Sequence, residues 1–146
     1  MLRYARQRVA APAMVCRVLK GLLVDFAGVL TDPDAGRFYD YLAAARERGI
    51  RTALLSNAPG ASNEVKNTMF DYFDALVFSG EVGVAKPDPA VYLIAADRLG
   101  LPAARCAFVD DSATNIRGAV QAGMVGVRHQ SVEETLAELA VLFPAG

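Results

Sequence analysis

The chain contains 146 residues, of which 53% are hydrophobic, and its formal net charge is −1. This length supports one compact hydrophobic core and is too short for two ordinary domains. Binding along a nucleic acid backbone needs a basic face, so the charge balance excludes nucleic acid as the main partner.

The first 20 residues are basic and the rest of the chain is acidic. The segment contains no acid and carries a local charge of +5, which leaves −6 for residues 21–146. Its basic residues are Arg3, Arg6, Arg8, Arg17 and Lys20. Pro12 interrupts the apolar stretch from Val9 to Cys16 and no clear cleavage region follows, so the segment resembles a signal peptide only faintly. We predict a basic arm over residues 1–20 and a single domain over residues 21–146.

Two further features bear on where the protein works. No apolar stretch is long enough to span a membrane, so a membrane partner is not predicted. Cys16 and Cys106 lie beside apolar residues and lack the spacing of metal ligands, which predicts reduced thiols in the core. Together these features favour the cytoplasm.

Short apolar runs alternate with longer amphipathic segments along the chain, which is the pattern of an α/β protein. In chain order, the predicted strands cover residues 21–26, 50–57, 74–80, 105–111 and 124–129, and the predicted helices cover residues 38–49, 62–72, 89–100, 112–122 and 131–143. Ser131 and Glu134 have the spacing of a capping box at the start of the last helix. This alternation predicts a three-layer α/β/α sandwich around a five-stranded parallel, Rossmann-like sheet.

Polar residues follow the predicted strands where a parallel α/β sheet binds its ligands, beyond the carboxyl ends of the strands. These residues are Asp25 after the first strand, Ser56 and Asn57 after the second, and Asp110 and Asp111 after the fourth. Lys86, in the loop after the third strand, can reach the same edge. The carboxylates would repel one another unless a divalent cation or the lysine offset their charge, and oxygen ligands suit Mg²⁺.

Four segments in this order resemble the motifs of the haloacid dehalogenase superfamily, whose members are mostly Mg²⁺-dependent phosphatases. They are "VDFAGVL", "LLSN", "KPDPAVY" and "FVDDSATNIRGAVQAGM". The resemblance covers about residues 22–128 and therefore nearly the whole predicted sheet. Any one segment would be weak evidence, but four in the right order, each at or just beyond the end of its strand, indicate the family strongly.

The resemblance implies a catalytic role for three of these residues. Asp25 would be the nucleophile that forms an aspartyl-phosphate. Ser56 would hold a phosphoryl oxygen together with neighbouring backbone N–H groups, including that of Asn57. Lys86 would neutralise Asp25 and the charge that develops on the transferring group.

The resemblance also implies a magnesium site. Its protein ligands would be the carboxylates of Asp25 and Asp111 and the backbone carbonyl of Ala27. Asp110 and Asn115 would be supporting residues, the amide of Asn115 orienting a metal-bound water. Taken singly, each acid could instead be a helix cap or a turn residue, as could Ser112. His129 has no partner of its own type and is predicted to be a surface or packing residue.

Ala27 departs from the family pattern, which has a second aspartate here to protonate the leaving group and later activate water. A methyl group cannot move a proton, and general acid–base help is typically worth about 10²–10⁴-fold. Some phosphatase branches carry a small residue at this position. Phosphonate hydrolases carry alanine and need a Schiff-base lysine from a cap domain, whereas dehalogenases replace the residue and need no metal.

The second departure is the lack of a cap domain. Only 30 residues separate Asp25 from Ser56 and 29 separate Ser56 from Lys86, and predicted core elements fill both gaps. The chain therefore resembles the capless branch, with an open mouth roofed only by the turn "TDPDAGRF". An open mouth admits bulky or macromolecular phosphosubstrates, or is covered by another protein or by a second subunit in a homo-oligomer.

Three hypotheses follow. The first is a Mg²⁺-dependent phosphatase for small-molecule phosphate esters or acyl phosphates, with a preference for aryl and acyl leaving groups, which need little protonation. The second is a catalytically degenerate protein that keeps the fold and acts as a binding or regulatory module. Asp25, Lys86 and Asp111 favour the first, and Ala27 and the missing cap favour the second. The third, a haloacid dehalogenase, is less consistent with the paired acids at residues 110 and 111.

Overall fold

The computed structural model describes residues 18–145, which contain a five-stranded parallel sheet. The strands are β1 (Gly21–Val24), β2 (Arg51–Ser56), β3 (Ala75–Phe78), β4 (Cys106–Asp110) and β5 (Val125–Arg128). Their spatial order is β3-β2-β1-β4-β5, and every neighbouring pair is parallel. The predicted strands and their order along the chain are therefore confirmed.

Six α-helices accompany the strands in the described part of the chain, together with a π-helical segment (Phe26–Leu30) and a short 3₁₀-helix (Ala103–Arg105). The α-helices are α1 (Ala35–Glu47), α2 (Asn63–Met69), α3 (Ser79–Val82), α4 (Pro89–Arg98), α5 (Ala113–Gln121) and α6 (Val132–Leu142). Helix α3 is not predicted from the sequence because four residues are too few to show helical periodicity. The third strand accordingly ends at Phe78 rather than at residue 80. Ser131 caps α6, since its hydroxyl accepts a hydrogen bond from the Glu134 N–H.

The helices cover both faces of the sheet because successive strand residues point to opposite sides. Leu22 and Val24 of β1 pack in the layer that contains Phe38 of α1 and Leu139 of α6. Leu23 lies in the opposite layer with α4 and α5. The observed architecture is the predicted α/β/α sandwich.

Parallel pairing brings the carboxyl ends of the central strands together. Val24 at the end of β1 is in register with Leu54 of β2 and Val109 of β4. The Asp25 N–H donates to the Val109 carbonyl at 3.0 Å, which holds the first residue after β1 against β4. The residues that follow these strands are therefore neighbours in space although they are far apart in sequence.

Residues 18–20 are attached to the sheet. The Lys20 N–H donates to the Arg105 carbonyl at 2.9 Å, the Lys20 carbonyl accepts from the Arg51 N–H at 2.8 Å, and Leu19 packs against the core. The remainder of the predicted basic arm, including Cys16, lies outside the described residues. Cys106 is buried and free, and burial raises the pKa of its thiol to about 11. Between residues 18 and 145, no helix has the length and apolar character needed to cross a membrane.

Candidate active site

All eight site residues predicted from the sequence line one cavity at the carboxyl edge of the sheet, with a volume of about 330 Å³. They are Asp25, Ala27, Ser56, Asn57, Lys86, Asp110, Asp111 and Asn115. Gly28 and Ser112 complete the lining and were not predicted as site residues. The cavity is open above the sheet, and within residues 18–145 only core elements lie between Asp25 and Ser56 and between Ser56 and Lys86.

Lys86 joins two of the carboxylates in this cavity. Its Nζ lies 2.6 Å from Asp25 Oδ1 and 3.2 Å from Asp110 Oδ2, and it also donates to the Leu55 carbonyl at 2.9 Å. The lysine side chain is 1% exposed, so water hardly screens these interactions. The ammonium is thus held at the point where the ends of β1, β2 and β4 meet.

Asp25 is a buried carboxyl group with a perturbed proton affinity. Burial raises its pKa to about 6 and the Asp110 charge adds to this effect, while Lys86 acts in the opposite direction. Desolvation disfavours the charged carboxylate, so a cation beside it is needed to keep it ionised. A buried carboxyl group with a specific charged partner in a cleft is typical of functional sites.

Asp110 is the centre of a hydrogen-bond network. Its Oδ1 accepts from the Ser112 N–H at 2.9 Å, and its Oδ2 accepts from Asn115 Nδ2 at 3.0 Å as well as from Lys86. The residue is completely buried. Both carboxylate oxygens therefore accept hydrogen bonds from protein donors, which fix the orientation of the carboxylate.

Asp111 differs from its neighbour because it is exposed and lies over Gly28. A Cβ at Gly28 would overlap the Asp111 carboxylate, and Gly28 has a φ of 86°, so glycine is required there for both space and conformation. Partial burial and the adjacent Asp110 raise the pKa of Asp111. In the sequence, the only signal for this contact is the glycine directly before "VLTD" (residues 29–32), and a single glycine is too common to identify the contact.

The Asn57 side chain holds the loop that carries Lys86. Its Nδ2 donates to the Lys86 carbonyl and its Oδ1 accepts from the Lys86 N–H, both at 3.0 Å. Because both ends of the amide are engaged, any contact of residue 57 with a substrate would come from its backbone N–H. Sequence reasoning missed this pairing, which joins residues 29 positions apart.

His129 is a buried packing residue, and the structure shows what it connects. Its Nδ1 lies 2.7 Å from Thr135 Oγ1 and its Nε2 lies 3.1 Å from Asp32 Oδ2. Its backbone N–H donates to the Asp110 carbonyl at 2.8 Å. The histidine therefore ties the turn at residues 31–34 to the end of β5 and to α6. This turn was predicted to roof the cavity, but none of its residues is among those that line it.

The acids of the cavity fit a divalent cation. One oxygen from each of Asp25, Asp110 and Asp111 lies within 4.8 Å of the others. Lys86 offsets only part of their charge, and oxygen donors are the ligands that Mg²⁺ accepts. Of the three, Asp110 accepts hydrogen bonds from Lys86, Asn115 and the Ser112 N–H.

Residues 19–123 match the family model of the haloacid dehalogenase-like hydrolases. The matched span covers most of the chain and includes all eight predicted site residues. The chain belongs to the haloacid dehalogenase-like hydrolase family.

Several relatives of the chain are phosphatases. It is 37% identical over 91 residues to a phosphoserine phosphatase from Thermus thermophilus, an alignment that covers 60% of this chain and 36% of the relative. It is 36% identical over 87 residues to a phosphatase from Mycobacterium tuberculosis, covering 57% of this chain and 40% of the relative. The chain thus spans about two-fifths of the length of these curated relatives.

Solved structures share the fold. A crystal structure of an uncharacterized protein from Corynebacterium glutamicum is 40% identical, with a TM-score of 0.81 over 88% of this chain and 97% of that one. An enzyme of this family from Bacteroides thetaiotaomicron, solved with magnesium and inorganic phosphate, is 17% identical, with a TM-score of 0.60 over 78% of this chain and 96% of that one. The second similarity shows the fold alone.

Proposed function

We propose that the protein is a Mg²⁺-dependent phosphatase that acts through an aspartyl-phosphate on Asp25. The observation that carries this proposal is the buried Asp25–Lys86 pair at 2.6 Å, which shares one cavity with Asp111 and Ser56. A purely structural role explains this arrangement poorly, because isolating a charged pair from water is costly for the fold. The phosphatase relatives support the same reaction class.

In the proposed reaction, an Asp25 carboxylate oxygen attacks phosphorus. The bond from phosphorus to the leaving-group oxygen breaks, and its electron pair departs with that oxygen. Water then attacks phosphorus and the bond from phosphorus to the Asp25 oxygen breaks, which regenerates the Asp25 carboxylate and releases inorganic phosphate that carries the two protons of the water. Lys86 offsets the negative charge of Asp25, and Ser56 donates a hydrogen bond to a phosphoryl oxygen.

The proposed cation would be held by Asp25, Asp111 and the backbone carbonyl of Ala27. When bound, Mg²⁺ supplies charge that lowers the repulsion between the carboxylate and an anionic substrate. Asp110 and Asn115 would keep this edge of the site in place through their mutual hydrogen bond.

Ala27 narrows the proposed substrates. A methyl group at this position offers no proton to a departing alkoxide, whereas a phenolate or a carboxylate leaves without one. We therefore expect aryl and acyl phosphates to be better substrates than alkyl phosphates. The open cavity also accommodates bulky phosphosubstrates.

Ala27 also favours a second candidate function. A protein that had lost its proton donor could retain the cavity as a binding or regulatory module. Such a module would bind Mg²⁺ and phosphate analogues without hydrolysing any ester, so turnover of a panel of phosphates with and without Mg²⁺ separates the two functions.

The cation assignment is tested by Asp111→Asn. We expect a marked loss of Mg²⁺ affinity in calorimetry, together with a parallel loss of activity, because one of two carboxylate ligands is removed. Asp97→Asn, at an exposed position on α4, makes the same chemical change away from the site and should alter neither. Unchanged Mg²⁺ affinity in Asp111→Asn would remove this residue from the site.

The nucleophile is tested with fluoroberyllate, which mimics an aspartyl-phosphate. With Mg²⁺ it should raise the melting temperature of the wild-type protein, since a ligand that binds only the folded state stabilises it. Asp25→Asn should abolish this rise. A full thermal shift in the variant would contradict the assignment of Asp25.

A further inference from the structure

A second cavity adjoins the acidic one and has a different character. It has a volume of about 220 Å³, and Ser56 lines both cavities. Its other walls include Phe26, Leu54, Val65, Met69 and Phe78. Phe26 directly follows the proposed nucleophile, so the apolar cavity begins one residue from the reacting carboxylate.

The cavity has the size of an aromatic ring. An apolar cavity of about 150 Å³ is large enough to bind benzene, so about 220 Å³ holds one ring with its linking atoms. Small apolar pockets of this kind bind ligands by removing hydrocarbon surface from water. The volume therefore matches a leaving group with a single ring.

The charged residues beside this cavity do not favour an anionic occupant. Lys66 lies 5.6 Å from the centroid of the Phe78 ring, and its ammonium is paired with Glu81 at 2.7 Å. Because the pair is neutral overall, it gives this side of the cavity no net positive charge that would bind a second phosphate.

We propose that this apolar cavity binds the aromatic part of the leaving group, so that the protein selects aryl or aromatic acyl phosphates. The proposal rests on the proposed phosphatase function, with the phosphoryl group beside Ser56 in the acidic cavity. The proposal accounts for both the apolar cavity and the alanine at position 27. An aromatic leaving group fills the cavity, and it departs without the proton that Ala27 cannot supply.

Benzoyl phosphate and acetyl phosphate provide the test. Both expel a carboxylate, so the missing proton donor affects them alike, and only the first carries a ring. The wild-type protein should show a kcat/KM for benzoyl phosphate at least about tenfold above that for acetyl phosphate, the scale of selectivity that hydrophobic pockets achieve.

Val65→Glu should abolish this preference. The Val65 side chain lines the cavity and is 45% exposed, so glutamate adds a charge there at little cost to the fold. Val141→Glu, at a position 78% exposed on α6, is the matched control and should leave the preference intact. Ala61→Leu, which fills the same cavity without a charge, should lower the ratio of kcat/KM for benzoyl phosphate to kcat/KM for acetyl phosphate.

The outcomes separate this inference from the proposed function. A protein that hydrolyses both substrates with a ratio unaffected by Val65→Glu and Ala61→Leu would overturn the inference and leave the phosphatase function intact. If neither substrate is hydrolysed, NMR titration with phenylphosphonate and methylphosphonate tests whether the apolar cavity binds an aromatic ring. Shifts at Val65 and Ala61 with the phenyl compound alone would support the cavity assignment, and their absence would overturn it.

Discussion

Lys86 is almost completely buried, yet its ammonium group forms ion pairs with two carboxylates, those of Asp25 and Asp110. Removing one partner of a buried ion pair leaves an uncompensated charge and typically lowers stability by about 3–5 kcal/mol. Replacing all the charged partners by apolar residues, in contrast, often leaves stability unchanged. Stability alone therefore gives no reason to place Asp25, Asp110 and Lys86 together. Their position at the mouth of a cavity indicates function.

Ala27 is the residue that most limits the proposed chemistry, and Ala27→Asp tests this directly. The substitution should keep the backbone carbonyl in place and supply the missing acid. Turnover of an alkyl phosphate should rise by up to about 10²-fold, the lower end of general acid catalysis, because the surroundings are not arranged to align the new carboxyl group. Turnover of an aryl phosphate should change little.

The quantity to measure is the ratio of alkyl to aryl turnover at saturating Mg²⁺ in the wild type and in the variant. If the wild-type protein is active and the variant has the same ratio of alkyl to aryl turnover, another residue or the substrate itself already transfers the proton. Inactivity of both proteins with both substrates would favour the binding-module function over the enzyme.

At the level of secondary structure elements, the Lys86 loop depends on a close approach to helix α5. A Cβ at Gly118 would overlap the Pro87 carbonyl oxygen, which belongs to the backbone and cannot rotate away. Asn57 holds the other side of the same loop. The position of Lys86 is thus determined by contacts from two elements that are distant in sequence.

Gly118→Ala should therefore destabilise the protein and reduce activity. Overpacking costs about 1–3 kcal/mol, which exceeds the roughly 1 kcal/mol that alanine gains over glycine in a helix. Gly36→Ala in α1 is the matched control, because a Cβ there meets nothing within 4 Å. Urea unfolding should show a lower free energy of unfolding for the first variant and a gain of up to about 1 kcal/mol for the second. Equal gains in both would show that the α5 contact is not tight.

The turn at residues 31–34 illustrates a second dependence between elements. His129, at the end of β5, contacts Asp32 in this turn and Thr135 in α6. Asp32 also accepts a hydrogen bond from the Asp34 N–H, and these two contacts hold its pKa below the usual range. The turn is therefore fastened to the end of β5 and, through His129, to α6.

For the whole molecule, the sequence predicts that the basic arm packs on the body or on a second subunit, because it carries apolar residues such as Leu2, Tyr4 and Val9 among its charges. Deleting residues 1–17 leaves the described sheet complete, so folding should persist. We expect a lower melting temperature or a changed association state, the latter measured by sedimentation as the number of copies in the assembly. If both measurements are unaltered, the arm is a solvated extension.

The sequence by itself determined the architecture and the membership of the candidate site. Alternating apolar runs and amphipathic segments specify a parallel sheet, and the carboxyl ends of its strands meet at one edge whatever the details of packing. Asp25, Ser56 and Asp111 could therefore be grouped without coordinates. Helix α3 was not predicted, because a single helical turn is too short to show a periodic pattern.

Only the tertiary structure decided how these residues divide their tasks. It separated the buried Asp110 from the exposed Asp111, although they are adjacent in sequence. It joined Asn57 to the Lys86 backbone and His129 to Asp32, pairs that are 29 and 97 positions apart. Local pattern carries no information on such contacts, because they arise from the register of the strands and the packing of the loops between them.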